Sequence, residues 1–329
     1  MIPNEYANLT TKQILLTLGL VAGTALSLTV VDCGQSGAAS QAAPAAPAIQ
    51  AVVDRVDEAR IKASITRLAS FPSRHSTSES CAEAAVWLRD QFLAAGTDDV
   101  SYHEFPLNGQ TCRNVVATRK GTDPNPAIIL VGAHYDSRSR DIGDPDAPAP
   151  GADDNASGTA GLLEVARALK GTTLRKTIRI IAFCGEEQGL VGSTAYAKLA
   201  AEEKMPITAM INMDMIGHPM DQAGREVLVE SDQGNRRREN DQPSRDLAAR
   251  LTRHLTTYTK LKAKPGPLYG TDYVPFEARG FVCVGLYDGA DTTPFYHTDA
   301  DNLDVIDTRF VAEVVRAVTA TVADLAASP

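Results

Sequence analysis

Five short segments place imidazole or carboxylate groups directly after or between apolar runs. They are Gly132-Ala133-His134-Tyr135-Asp136, Gly151-Ala152-Asp153-Asp154-Asn155, Gly185-Glu186-Glu187-Gln188-Gly189, Met213-Asp214 and Phe295-Tyr296-His297. Taken singly, each has an ordinary explanation: an Asp ahead of a helix caps it, a strand-end Glu pairs with Arg, and a lone His packs. Taken together, two imidazoles and several carboxylates in one crevice form a strongly negative cluster, which a divalent cation neutralises most simply. Imidazole plus carboxylate, without a thiolate set, suits zinc or its neighbours cobalt and manganese in a catalytic rather than a structural site. The donor count suits two ions, and the expected cofactor is Zn2+, two per chain.

Such a cluster needs elements that deliver the segments to one place. Residues 127–132 (AIILVG), 177–183 (TIRIIAF), 207–213 (ITAMINM) and 281–286 read as strands, with shorter ones at 114–118 and 226–229. The first is apolar on both faces, as a central strand covered by helices must be. Helical spacing of apolar residues predicts helices over 51–71, 77–95, 157–170, 192–203, 244–261 and 309–326. The alternation implies an α/β fold in three layers, a mixed and mostly parallel central sheet flanked by helices, whose strand ends open into a crevice. Asp136, two residues after His134 on the same side of an extended chain, is placed to accept a hydrogen bond from the imidazole nitrogen that faces away from a metal.

The chain has 329 residues, 43% of them apolar, and can bury a substantial core. Its 32 basic against 41 acidic residues give a formal charge of −9, which disfavours a nucleic-acid partner. Residues 14–31 form a nearly unbroken apolar run after Lys12 and resemble a secretory signal, so export to the periplasm, the envelope or the medium is expected. Cys33 follows directly and resembles the acylated cysteine of bacterial lipoproteins, although Asp32 replaces the small uncharged residue usual before it. Lipidation, cleavage further on and a retained anchor all stay open, and a membrane is approached only through such an N-terminal lipid or uncleaved signal. Residues 1–33 thus read as the signal, the Ala/Pro-rich stretch 34–50 as a linker, and 51–329 as one catalytic domain. Of the other cysteines, Cys81 and Cys112 lie in polar surroundings and are the preferred disulfide pair, whereas Cys184 and Cys283 lie inside apolar runs and read as buried thiols. The polar stretch 231–243 reads as an exposed loop.

In this order and spacing, the five segments resemble the zinc aminopeptidases of peptidase family M28, over roughly residues 55 to 325. The resemblance implies the zinc-dependent exopeptidase fold and peptide substrates. It implies that Asp153 bridges two ions, His134 and Asp214 completing one site and Glu187 and His297 the other, with a cis peptide between Asp153 and Asp154. By the same resemblance Glu186 binds no metal but moves the proton between attacking water and departing amine, and Tyr296 stabilises the tetrahedral oxyanion. A family segment reading Ser-Asp-His corresponds to Thr271-Asp272-Tyr273, where Thr replaces the Ser and Tyr the His. Three other readings compete. A carboxypeptidase-like or dipeptidase-like member needs a cation for the substrate carboxylate, and Arg138, Arg140 and Arg279 are candidates. A glutaminyl cyclase-like acyltransferase usually has Ser after the first acid of the pair and Trp before the last His, where this chain has Asp154 and Tyr296. A binding-only protein on this fold would have lost the ligand set, which here is intact.

Overall fold

The structure is a computed structural model that describes residues 45–221, 223 and 225–328. The signal-like run, Cys33 and most of the linker lie outside the described residues. Helix α1 (Pro47–Val53) starts within the stretch read as linker, with Pro47 at its first position where the missing N–H costs nothing. The helix expected over 51–71 is two helices, α1 and α2 (Glu58–Ala69), because Asp57 leaves helical geometry and caps the second through the Arg60 amide. Then follow α3 (Glu79–Ala94), β1 (Asp99–Leu107), β2 (Gln110–Arg119), β3 (Ile128–His134), α4 (Gly158–Ala168), β4 (Thr177–Phe183), α5 (Val191–Glu202) and β5 (Ile207–Met213). The chain continues through β6 (Glu226–Ser231), α6 (Asp241–Tyr258), β7 (Lys262–Pro267), the short α7 (Val274–Glu277), β8 (Cys283–Tyr287) and α8 (Thr308–Ala327).

The strands form one eight-stranded sheet in the order β1-β2-β4-β3-β5-β8-β6-β7. β3, β4, β5 and β8 run parallel to one another at its centre, β2 and β6 are antiparallel to their central neighbours, and β1 and β7 close the edges. Successive residues of β3 sort to opposite faces, as the pleat requires. Ile129, Val131 and Ala133 pack into a core shared with α2, α3, α4, α6 and α8, while Ile128 and Leu130 pack with Tyr196, Ala197 and Phe276 from α5 and α7. Three layers result. From β3 the chain crosses to β4 on one side and then to β5 on the other, so the carboxyl ends of these strands flank a topological switch point, where crevices form in open α/β sheets.

Cys81, Cys112, Cys184 and Cys283 are all free and buried, so the expected Cys81–Cys112 disulfide is corrected. The Cys81 thiol on α3 instead lies 3.9 Å from that of Cys184 at the end of β4, and the Cys112 thiol is 3.2 Å from the Ser76 carbonyl. No helix among the described residues is long and apolar enough to cross a membrane.

Candidate metal centre

Each central strand ends in a chemically active side chain. His134 closes β3 and is buried; its Nδ1 donates to the Asp136 carbonyl at 3.1 Å, which fixes the ring and turns Nε2 toward the carboxylates. That Nε2 lies 3.1 Å from Asp214 Oδ1, just beyond β5, and 3.2 Å from Asp154 Oδ1. The other imidazole, His297, brings Nε2 within 3.0 Å of Asp154 Oδ2 and 3.2 Å of Glu187 Oε2. Asp154 therefore presents one oxygen to each imidazole. Two donor sets result, His134-Asp154-Asp214 and Asp154-Glu187-His297, with Asp154 common to both.

The expectation that Asp153 bridges is thereby corrected by one residue. Asp153 is buried but faces away, its Oδ1 accepting the Gly217 amide at 2.8 Å. The cis peptide likewise joins Asp154 to Asn155 rather than Asp153 to Asp154. Between Ala152 and Ser157 the backbone is irregular, so adjacent side chains diverge instead of following a helical or extended period. Three groups hold this turn. Gly151 takes φ 52°, and a Cβ there would meet the Asp154 carbonyl at 2.3 Å. The Asp301 carboxylate accepts the amides of Asp153 at 2.8 Å and Asp154 at 3.0 Å. Arg74, fully buried, donates to the carbonyls of Tyr135 at 2.7 Å and Gly151 at 2.8 Å and also to that of Pro150.

Asp136 does not act as expected through its carboxylate, whose Oδ1 is 3.7 Å from His134 Nδ1. Its carboxylate instead accepts the Ser76 hydroxyl at 3.0 Å and the amides of Glu187 at 3.2 Å and Glu186 at 3.4 Å, anchoring the acidic pair after β4. Met215, next to Asp214, and His297 both hold left-handed backbone, at φ 49° and 57°, a strain that side chains other than glycine tolerate mainly where the surroundings impose it. Tyr296 stacks on His297 with ring centroids 3.6 Å apart.

Burial and crowding govern the charges. Burial alone would raise Asp154, but the imidazoles of His134 and His297, one beside each of its oxygens, hold its carboxyl well below the usual range. Burial lowers His297, yet Asp154 and Glu187 outweigh it and bring the imidazole to about 9. Burial and the Asp154 charge raise Glu187 to about 7, although Arg138 Nε also donates to its Oε2 at 2.7 Å. Glu186 is pushed up by burial and by Glu187, Asp214 and Asp272, against the opposing charge of His134. Asp272, fully buried, is raised to about 8, first by burial.

The donors fit a metal. His297 Nε2 lies within hydrogen-bond range of two carboxylate oxygens yet makes no properly directed hydrogen bond, and Glu187 Oε1 is buried without a partner. Lone pairs converging on a common point produce this pattern. Donor atoms around an ion with roughly 2.0 Å bonds sit about 3.3 Å apart when tetrahedral, close to the separations seen here. A cavity opens beside the donors, with His134, Asp154, Glu186, Asp214 and Tyr296 in its lining.

Sequence reasoning missed Asp301 and Arg74 as the residues that shape the bridging turn. Asp301 is buried whereas Asp299 and Asp304 are exposed, a distinction that spacing after His297 does not carry. Arg74 precedes a polar helix cap and shows nothing in sequence that separates it from surface arginines.

The sequence model of Peptidase family M28 matches residues 114–322. A probable zinc metalloprotease of Pyrenophora teres f. teres is 29% identical over 84% of this chain and 68% of its own length. A probable leucine aminopeptidase of Arthroderma benhamiae is 27% identical over 84% of this chain and 75% of its own. Among solved structures, the LapA aminopeptidase of Legionella pneumophila shares the fold with a TM-score of 0.72 at 23% identity, over 85% of this chain and 75% of that one. A family model that spans most of the chain, over a sheet and donor set of this form, means that the chain belongs to peptidase family M28 and is a zinc metallo-exopeptidase.

Proposed function

We propose that this chain is a dinuclear aminopeptidase that releases amino-terminal residues from peptides, with zinc held by His134, Asp154 and Asp214 at one site and by Asp154, Glu187 and His297 at the other. The observation that carries the reading is the Asp154 carboxylate, one oxygen toward each imidazole, at the mouth of a cavity that Glu186 also lines. When bound, the two ions supply Lewis acidity at the scissile carbonyl and make water acidic enough to react near neutral pH. The chain's own groups do the rest. The acidic rim attracts the free α-ammonium of a peptide and so selects its end. Glu186 takes the proton from the attacking water and returns it to the departing amine, a task that suits a carboxyl held above its usual range. Tyr296, fixed by its stack on His297, directs its hydroxyl at the oxygen that gains charge.

Exopeptidase action from the carboxyl end needs a cation in the cavity. Arg138 pairs with Glu187, Arg140 donates to the Pro294 carbonyl and Arg279 to that of Pro275, and none of the three lines the cavity. Peptides are the proposed partners, met outside the cytoplasm after export through the run at 14–31.

Release of a chromogenic amine from a panel of amino-acid anilides by the zinc-loaded chain tests the proposal. Glu186→Ala is expected to lower kcat by about 10²–10⁴-fold with metal content unchanged, and chelation to abolish turnover. Turnover of no anilide at full metal loading, with cyclisation of an amino-terminal glutaminyl peptide instead, would overturn it.

A further inference from the structure

The cavity does not end at the metal donors. Its lining also includes Met215, Thr271, the tyrosines Tyr269, Tyr273 and Tyr287, and a buried carboxylate that is no metal donor, Glu230. The register across the sheet places that carboxylate. Asn212 of β5 pairs with Gly285 of β8, and Gly285 pairs with Glu230 of β6, so all three project on one face. Two strand spacings, about 9.6 Å, separate the backbones of Glu230 and Asn212, and the middle position has no side chain. Glu230 uses that space, since a Cβ on Gly285 would lie 2.3 Å from its Oε2.

Glu230 is 4% exposed and has no arginine or lysine partner among the described residues. The one hydrogen bond its carboxylate accepts among these residues comes from the Tyr273 hydroxyl, at 2.8 Å to Oε2. Tyr273 is one of two positions, with Thr271, where this chain departs from the Ser-Asp-His segment that it resembles, and this substitution supplies the hydroxyl that holds the carboxylate. A second acid, Asp291, stands on the same lining with no salt-bridge partner among the described residues. Burial and the Asp214 charge bring the Glu230 carboxyl to about 7 despite the tyrosine's hydrogen bond.

We infer that this cavity selects an amino-terminal lysine or arginine, whose aliphatic stem lies along the tyrosine rings and whose cationic head pairs with Glu230. The inference rests on the aminopeptidase reading for the orientation of the substrate. With the substrate's α-amine at the donors, lysine and arginine carry a cationic head further along this shared lining than leucine reaches, and only they can pair with Glu230. Ring faces favour a cation above a neutral side chain.

Two measurements test this. Kinetics on lysine, arginine and leucine anilides should give the basic residues a kcat/KM at least about tenfold above leucine, and Glu230→Gln, which keeps an acceptor for Tyr273, should lower the basic substrates by about tenfold or more while changing leucine less than about threefold. Saturation-transfer NMR should show L-lysine contacting the zinc-loaded protein more strongly than L-leucine, with the contrast lost in Glu230→Gln. A wild-type preference for leucine, or an equal loss on all three anilides, would overturn the inference. Absence of turnover on every anilide would sink the aminopeptidase reading alone, because the NMR contrast reads the cavity without turnover; absence of that contrast would overturn the inference.

Discussion

At Asp153 and Asp154, two residues of identical chemistry stand side by side and only one faces the imidazoles. Neutralising each gives opposite outcomes. Asp154→Asn should remove a donor from both sets at once, so that metal content falls by both ions and kcat/KM drops at least about 10³-fold. Asp153→Asn, whose carboxamide oxygen still accepts the Gly217 amide, should retain both ions and lose about tenfold or less, an effect of the size produced by groups behind the donors. Metal analysis of the two purified variants decides it, and two ions retained in Asp154→Asn would rule out the shared-donor arrangement. The other donors were legible because each follows an apolar run whose end the chain signals. The choice within the pair was not legible, because it depends on backbone angles in an irregular turn that has no period to read.

The elements differ in how openly they declare themselves. The ranges expected for β4 and β5 coincide with those observed, since both are continuous apolar runs covered on two faces. β1 and β7 escaped notice because they are edges: β1 buries only Phe105, and β7 is Lys262–Pro267 with two prolines among charged residues, a pattern that protects an edge rather than advertising a strand. Two predictions belong here. Asp301 ties the loop after His297 to the turn before α4, so Asp301→Ala should weaken metal affinity by about 10–100-fold with the donors themselves intact, measured by competition with a chromophoric chelator. Asp324 on α8 accepts Arg250 Nε at 2.6 Å and His254 Nε2 at 2.8 Å from α6. Burial opposes ionisation there, but the two partners win and hold its carboxyl below 3.8. The link therefore stabilises the fold above that pH and is lost as pH falls through the lower folded value. His254, kept below 6.5 by burial, acts in the same direction, losing stability as pH falls below 6.5. Thermal melts from pH 7 to pH 3 should show Asp324→Asn less stable than wild type at pH 7 and the gap closing in acid; a gap independent of pH would refute this account.

Across the whole molecule, the donors come from β3, β4, β5 and the loops before α4 and after β8, so metal and fold are linked. Apo protein must hold Asp154, Glu187 and Asp214 together against their mutual repulsion. An ion present at 1,000 times its Kd adds about 4 kcal/mol, and a domain of this size shifts by roughly 2–4 °C per kcal/mol. Chelation should accordingly lower Tm by about 10 °C, restored by zinc, as calorimetry would show. Asp301 carries a consequence for timing. It and His297 come late in the chain, and α8, which follows them, packs into the core against α1, α2, α4 and α6. A ribosome that has made the first 290 residues has therefore made every carboxylate donor but neither His297 nor Asp301, so the centre can be completed only in the last steps of synthesis.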